Sequence, residues 1–406
     1  MKLRDILIRS KIGWREFIPA FILVVNSFSW YSVMSVIFTR VINNLQITIT
    51  ETFGLFGAFY GGIAVSAILG PFLFTRSRNY SLLVWFFLGI IASLLFNLLE
   101  MGIYPVALAT SLFQGISIGI GLPSCLAYFA DLTVVENRGF LGGITYGISA
   151  LAMFILVYAS SSIESSMAIL ALPIWRSLGL VLFLFFMRKV NYQKPQTVPS
   201  YSSILGTRKL MLYLAPWIMF CLVNWIEAPL VERMFGDFYN FVISAEFAIS
   251  AIFALVGGMF ADLVGRKRVI IAGFILLGIE YATLSLLPEM LMSRYLYMIL
   301  DGVSWGMFSA VFFMVLWGDL AENNRKEKHY VIGGLPYLLA NFLSVLVKPY
   351  IEIINVNTAF SLASFFLFVA VLPLMYAPET LPEKAIKDRE LQSYIEKARK
   401  EKEKYA

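Results

Sequence analysis

Apolar runs of about 20 residues, separated by short polar or charged segments, recur along the whole chain. A helix of that length crosses a hydrocarbon core of about 30 Å. Twelve transmembrane helices are predicted, over about 17–40, 51–74, 81–99, 104–130, 139–162, 167–187, 210–232, 239–261, 268–287, 293–317, 330–351 and 356–377. The start Met1-Lys2-Leu3-Arg4 is basic, but the apolar run after it is too long for a signal peptide and lacks a small-residue cleavage site. That run is read as the first span.

Composition supports this pattern. The 406 residues are 59% hydrophobic and 14% charged, with a mean hydropathy of +0.77, whereas a soluble domain is about 45–50% apolar and about 25% charged. The net charge of +6 does not imply nucleic acid, because the cations are confined to alternate loops. Lys2, Arg4, Arg9, Lys11 and Arg15 precede the first span. Arg76 and Arg78, Arg138, and the group Arg188, Lys189, Lys194, Arg208 and Lys209 follow, then Arg266 to Arg268 and Arg325, Lys326 and Lys328. The intervening loops hold little beyond Arg40 and Arg294. Cytoplasmic loops carry such an excess of Lys and Arg, so both termini are placed in the cytoplasm of a multi-pass cell-membrane protein. Cys125 and Cys221 fall inside spans and suit packing rather than a disulfide or a metal site. His329 is read as a solvated loop residue. No His or Cys metal cluster, nucleophile–base pair or phosphate-cradling loop points to an enzyme, a cofactor or a metal.

One interhelical segment stands out: Gly257-Gly258-Met-Phe-Ala-Asp262-Leu-Val-Gly265-Arg266-Lys267-Arg268. Neither its charges nor its loop backbone can be satisfied in hydrocarbon, so it lies at a membrane face. A reduced copy, Gly70-Pro-Phe-Leu-Phe-Thr-Arg76-Ser-Arg78, occurs 188 positions earlier, counted from Gly70 to Gly258. Asp131 and Asp319, each followed by a short polar run ending in Arg138 or Arg325, are also 188 apart. Gln114-Gly115-Ile-Ser and Asp301-Gly302-Val-Ser are 187 apart. Three pairs at nearly one offset predict two tandem six-helix bundles, over 1–190 and 209–378. A polar linker over 191–208 joins them, and a charged cytoplasmic tail occupies 379–406.

The spacing G-x3-D-x2-G-R-K-R resembles the cytoplasmic-loop signature of the major facilitator superfamily of secondary transporters, with Leu263 where that family usually has a basic residue. Pro378-Glu379-Thr380 after the last span resembles the tail of its sugar-transporting branch. The resemblance implies an all-α fold of 12 transmembrane helices in two pseudo-symmetric six-helix bundles, acting as a monomer. It also implies alternating-access transport of a small organic solute, sugar-like or carboxylate, across the membrane, coupled to protons. Export of apolar drugs or metabolites, and a receptor that keeps the fold without transporting, are the other readings.

In that family spans 1, 2, 4, 5, 7, 8, 10 and 11 surround a central cavity. Carried over by position, the cavity candidates are Asn26, Trp30 and Tyr31 on span 1, Gln114 on span 4, Asn224 and Trp225 on span 7, Trp305 on span 10, and Tyr337, Asn341 and Lys348 on span 11. Carboxyl groups inside spans default to a functional reading, which makes Asp301, Glu246 and Glu227 the proton-coupling candidates. Lys348 is a conceivable partner for Asp301. Arg176 and Glu280 lie mid-span on helices that the family places outside the cavity, and no role is assigned to them. Ser111 stands where the family often has an arginine, three residues before Gln114.

The loop residues are expected to form a cytoplasmic gate. Gly258, Asp262, Gly265 and Arg266 are its second-half part; the resemblance implies that Asp262 lies close to a helix start in the other half, here the start of span 5 near Arg138-Gly139, where negative charge is favourable. Asp131 is expected to pair with Arg138, and Asp319 and Arg325 are their second-half counterparts. The first-half copy has no carboxylate at the position matching Asp262, so the latch is expected to be one-sided.

Overall fold

A computed structural model of the chain describes residues 14–73, 78–161, 165–187, 199–322 and 325–383, with 387, 391 and 395. Lys2, Arg4, Arg9, Lys11, Arg76, Arg188, Lys189, Lys194, Asn323, Asn324, linker positions 191–198 and most of the tail lie outside the described residues. Among the described residues every regular element is helical, and 12 helices are long and apolar enough to cross a membrane.

They are α1 (Glu16–Asn44), α2 (Ile49–Leu73), α3 (Arg78–Met101), α4 (Tyr104–Asp131), α5 (Arg138–Ser160) and α6 (Met167–Phe186). The second set is α7 (Arg208–Phe235), α8 (Phe238–Val264), α9 (Arg266–Leu286), α10 (Leu291–Leu320), α11 (Glu327–Ile353) and α12 (Val356–Tyr376). Each agrees with a predicted run to within a few residues. Lipid-soluble side chains such as Phe72, Ile155, Ile174, Phe185 and Phe365 are exposed on the outside of the protein, where acyl chains replace water as their surroundings.

The packing repeats after six helices. In the first half α1 packs on α5 and α6, α2 on α4, and α3 on α6; in the second, α7 packs on α11 and α12, α8 on α10, and α9 on α12. The halves meet through α5 with α8 and through α2 with α11. Hydrophobic burial gives membrane helices little reason to associate, so close backbone approach has to supply the packing. The α5–α8 seam does so with Gly139, Gly143 and Gly147 facing Ala251, Ala254 and Gly258. A Cβ on Gly143 would fall on the Ala254 carbonyl, which is backbone and cannot step aside. Gly143→Val is therefore expected to cost the closed seam about 1–3 kcal/mol. Thermal unfolding in detergent checks this, and an unchanged midpoint would mean the seam parts freely.

Two spans depart from regular α geometry beside the interior. In α4 the helix breaks between Gly119 and Leu122, ahead of Pro123, which cannot donate to the preceding turn. In α10 the stretch Ser309–Leu316 is π-helical, a local widening that is rare and tends to mark functional sites. Basic loops and the described end of α12 share one membrane side, called here the basic face.

Candidate functional site

A cavity of about 280 Å³ lies between the halves. Its walls come from α1, α2, α4, α5, α7, α8, α10 and α11, and none of the described residues lining it belongs to α3, α6, α9 or α12. Seven of the sequence candidates meet here: Tyr31, Asn224, Trp225, Glu246, Asp301, Trp305 and Tyr337. Asn341 and Lys348 line a second chamber towards the opposite face, which shares Trp225 and Tyr239 with the first. Lys348 bonds there to Glu232 at 3.2 Å, so it is not the partner of Asp301.

Asn26, Trp30 and Gln114 do not line either chamber. The reason on α1 is helical phase. Positions 28, 31 and 32 share one face, while 26, 27 and 30 share another. The first face carries Phe28, Tyr31 and Ser32 into the cavity. The second packs on Arg176 of α6, whose guanidinium is fully buried. It lies 4.6 Å from the Trp30 ring, 4.5 Å from Trp85 and 4.2 Å from Phe86. Arg176 also donates to Asn26 Oδ1 at 3.0 Å and Ser27 Oγ at 2.8 Å. Desolvated cation–π contacts of this kind stabilise by about 2 kcal/mol each, which accounts for a mid-span arginine on a peripheral helix. Gln114 is buried within α4, whose neighbour Gly115 admits the α2 backbone.

The cavity's polar chemistry sits in the second half. Gly302 brings α8 and α10 together: an added Cβ would stand 2.8 Å from Ile249 Cβ. Glu246 and Asp301 thereby come within electrostatic reach of each other. Behind Asp301, the fully buried Glu280 of α9 turns its carboxyl to that of Asp301. Both Glu280 oxygens, Asp301 Oδ1 and Glu246 Oε1 lack a hydrogen-bond donor from the protein. Ionised carboxylates only accept hydrogen bonds, so the facing Glu280 and Asp301 groups can bond to each other only when one of them carries a proton. Glu227 is buried but off the cavity, nearer Tyr281. Among the described residues these acids do not converge as a metal-ligand set.

Aromatic rings complete the walls. Tyr337 meets Trp225, Trp305 and Phe313 edge-to-face, with centroids at 5.5, 6.0 and 5.2 Å. Phe313 also stacks on Tyr146, and Phe28 packs on both.

The basic face is sealed below this cavity. Asp262, at the end of α8, accepts from the backbone N–H groups of Gly139 (2.9 Å) and Phe140 (2.7 Å) in the first turn of α5. Gly265 makes the turn to α9 at φ +104°, a conformation that other residues rarely adopt. Gly258 lets the α5 backbone reach α8. Arg266, with 0% exposure, contacts Asp262 at 3.0 Å and Asp319 at 3.2 Å, and donates to Val135 O across the seam. Arg138 pairs with Asp319, not with Asp131. Asp131 instead holds Arg78 and Lys326, and Arg78 also holds Glu327 at 2.6 Å. The pairing expected within the first half is thus exchanged across the two halves. Arg325 stands half-buried just ahead of α11.

Two further expectations are corrected here. His329 is buried in the first turn of α11 rather than solvated. The tail expected from 379 begins as part of the network: Glu379 accepts from the N–H groups of Arg266 (2.9 Å) and Lys267 (3.1 Å), Thr380 Oγ1 bonds Asp319, and Leu381 is buried.

No family model matches the sequence, and no curated protein matches it. Solved structures do. A crystal structure of a human organic anion transporter aligns with a TM-score of 0.64 over 89% of this chain and 99% of its own, at 13% identity. The fucose:proton symporter of E. coli gives 0.68 over 89% and 99%, at 12% identity. A proton:xylose symporter bound to 6-bromo-6-deoxy-D-glucose gives 0.67 over 90% and 96%, at 15% identity.

The fold is that of the major facilitator superfamily.

Within this superfamily fold the chain is a multi-pass membrane protein of two six-helix bundles. Sequence reasoning missed Glu280 because it excluded the peripheral helices, although a mid-span glutamate was itself the signal. It also missed Phe28, Tyr146 and Phe313, which are indistinguishable in sequence from lipid-facing aromatics.

The Asp262 contact carries an expectation of its own. Asn at this position keeps one acceptor and loses the charge, so the closed face should weaken by about 1–2 kcal/mol. In a background without Cys125 and Cys221, a cysteine at Ala67, which lines the cavity near the basic face, should then label about tenfold faster from that side. Equal rates would leave Asp262 a passive helix cap.

Proposed function

We propose that the protein is a secondary transporter that moves a small organic solute by alternating access, coupled to protons. The observation that carries this reading is the pairing of a cavity at the bundle interface with a buried charge network that closes only the basic face. Such a network favours one of two arrangements, and ligand or proton binding that differs between them shifts their populations. In this reading the two six-helix bundles rock against each other, and the captured arrangement faces away from the basic side. Asp301 and Glu246 are the coupling groups, with Glu280 as the proton partner of Asp301; Glu227, off the cavity, has the weaker claim. The proton symporters among the structural neighbours support the coupling. The excess of Lys and Arg on one side supports a cell-membrane protein with that side in the cytoplasm. A cavity walled by one chain supports a monomer.

Solute counterflow in proteoliposomes tests the reading. A solute from a broad panel should exchange faster through the protein than through empty vesicles. Binding without exchange would favour a receptor of the same fold.

A further inference from the structure

We propose that the first chamber, the cavity between the halves, takes an organic cation, a quaternary ammonium or an alkylated amine, rather than a sugar or a carboxylate. This rests on the reading of the chamber as the solute site and names its ligand class.

Charge comes first. Among the described residues lining the chamber are two carboxyl groups, Glu246 and Asp301, and no Lys, Arg or His. Asp301 is 2% exposed, lines the chamber and keeps Oδ1 without a donor, as Glu246 keeps Oε1. A carboxylate solute would add a further negative charge to a low-dielectric site with no cation to receive it, an arrangement that costs several-fold more than it returns. A positively charged solute meets the opposite situation and compensates groups already buried.

Ring geometry points the same way. Asp301 and Trp305 are four residues apart on α10 and so share a face. Trp305 and Trp225 both stand nearly perpendicular to Tyr337, at 82° and 72°. The three rings form a corner, and aromatic faces attract cations, Trp most strongly. A methylated ammonium has no N–H to satisfy and suits such a corner, with the carboxylates supplying the charge.

A sugar meets a wall that is mostly apolar. Recognition of several hydroxyls needs several free donors and acceptors. Among the uncharged polar groups, Asn224 Oδ1 accepts from Trp305 Nε1 at 3.2 Å and Ser250 Oγ donates to Phe247 O at 3.0 Å, which leaves Tyr31 Oη and Trp225 Nε1 as buried groups without a partner.

The test compares charge at constant shape on the full chain in lipid nanodiscs. Choline, its uncharged carbon isostere 3,3-dimethyl-1-butanol, benzyltrimethylammonium, xylose and benzoate are titrated by calorimetry and by tryptophan fluorescence. The two ammonium ions should bind at least about tenfold more tightly than the isostere, the sugar and the benzoate. Glu246→Gln and Trp305→Leu should each weaken the ammonium ions about tenfold more than they weaken the isostere. The isostere comparison needs no variant, so misfolding of a variant does not shelter the proposal. Equal binding of choline and isostere, tighter binding of xylose or benzoate, or absence of ammonium binding overturns it. Counterflow separates the two readings. Ammonium binding without counterflow keeps the cation site and sinks transport; counterflow of xylose or benzoate without ammonium binding keeps transport and sinks the cation site.

Discussion

In an Asp319→Asn variant, a cysteine at Ala67 is expected to label from the basic face about a hundredfold faster than in the parent chain. Asp319 is the counterion shared by Arg138 of the first half and Arg266 of the second, and all three side chains are at most 3% exposed. Removing one partner of a buried ion pair costs about 3–5 kcal/mol, because the remaining charge stays desolvated. Here two guanidinium groups lose their common carboxylate while still facing each other. Their other acceptors, Ala130 O and Thr133 O for Arg138 and Ala261 O for Arg266, soften the loss without cancelling the repulsion. Separation of the bundles removes the strain entirely, since each arginine travels with its own half. The penalty therefore falls on the closed arrangement, and about 3 kcal/mol already exceeds a hundredfold shift in population. Adding Arg138→Met should restore slow labelling, because Arg266 still has Asp262. Fast labelling in the double variant would show that Asp319 acts through something other than the arginine pair.

Asp301→Asn is expected to abolish proton-driven accumulation, leaving the solute at its equilibrium level, while counterflow at saturating solute continues. The amide keeps the shape and cannot exchange a proton. The amide can donate to the facing Glu280 carboxyl, so the α9–α10 contact is expected to survive. Loss of accumulation together with counterflow would indicate a folding or gating defect. Accumulation at the parental level would remove Asp301 from the coupling scheme. Glu280→Gln provides the complement: it leaves the cavity wall untouched and should also impair accumulation if the proton is shared between the two carboxyls.

Much of the architecture was legible in the sequence because the bilayer imposes a length on every span and makes charge between the ends rare. The internal offset marked by Gly70 and Gly258 located the repeat, and the resemblance of the Asp262 loop to the superfamily signature pointed to its contact with α5. The phase of α1 was not legible. Asn26 and Trp30 look like cavity residues because polarity inside a span suggests function, yet they face Arg176, and the aromatic cage that holds Arg176 is assembled from two other helices, α1 and α3. Nor was the exchange of partners at the basic face. Asp131 and Arg138 are neighbours in sequence, but the turn between α4 and α5 directs Arg138 towards the other half, where Asp319 lies. The widened stretch of α10 left no signal at all, since Ser309–Leu316 reads as an ordinary apolar helix.

Among the described residues the carboxyl groups that face the cavity belong to the second half, while the first contributes Phe28, Tyr31, Ser32 and Tyr146 with smaller apolar residues. If the halves rock, Glu246, Asp301 and Glu280 keep their mutual distances and ride together. The second bundle is then the vessel, and the first is a lid with an aromatic lining that slides over it. Under this division of labour, substitutions in the lid would alter how fast a solute enters and leaves, and substitutions in the vessel would alter what charge it carries.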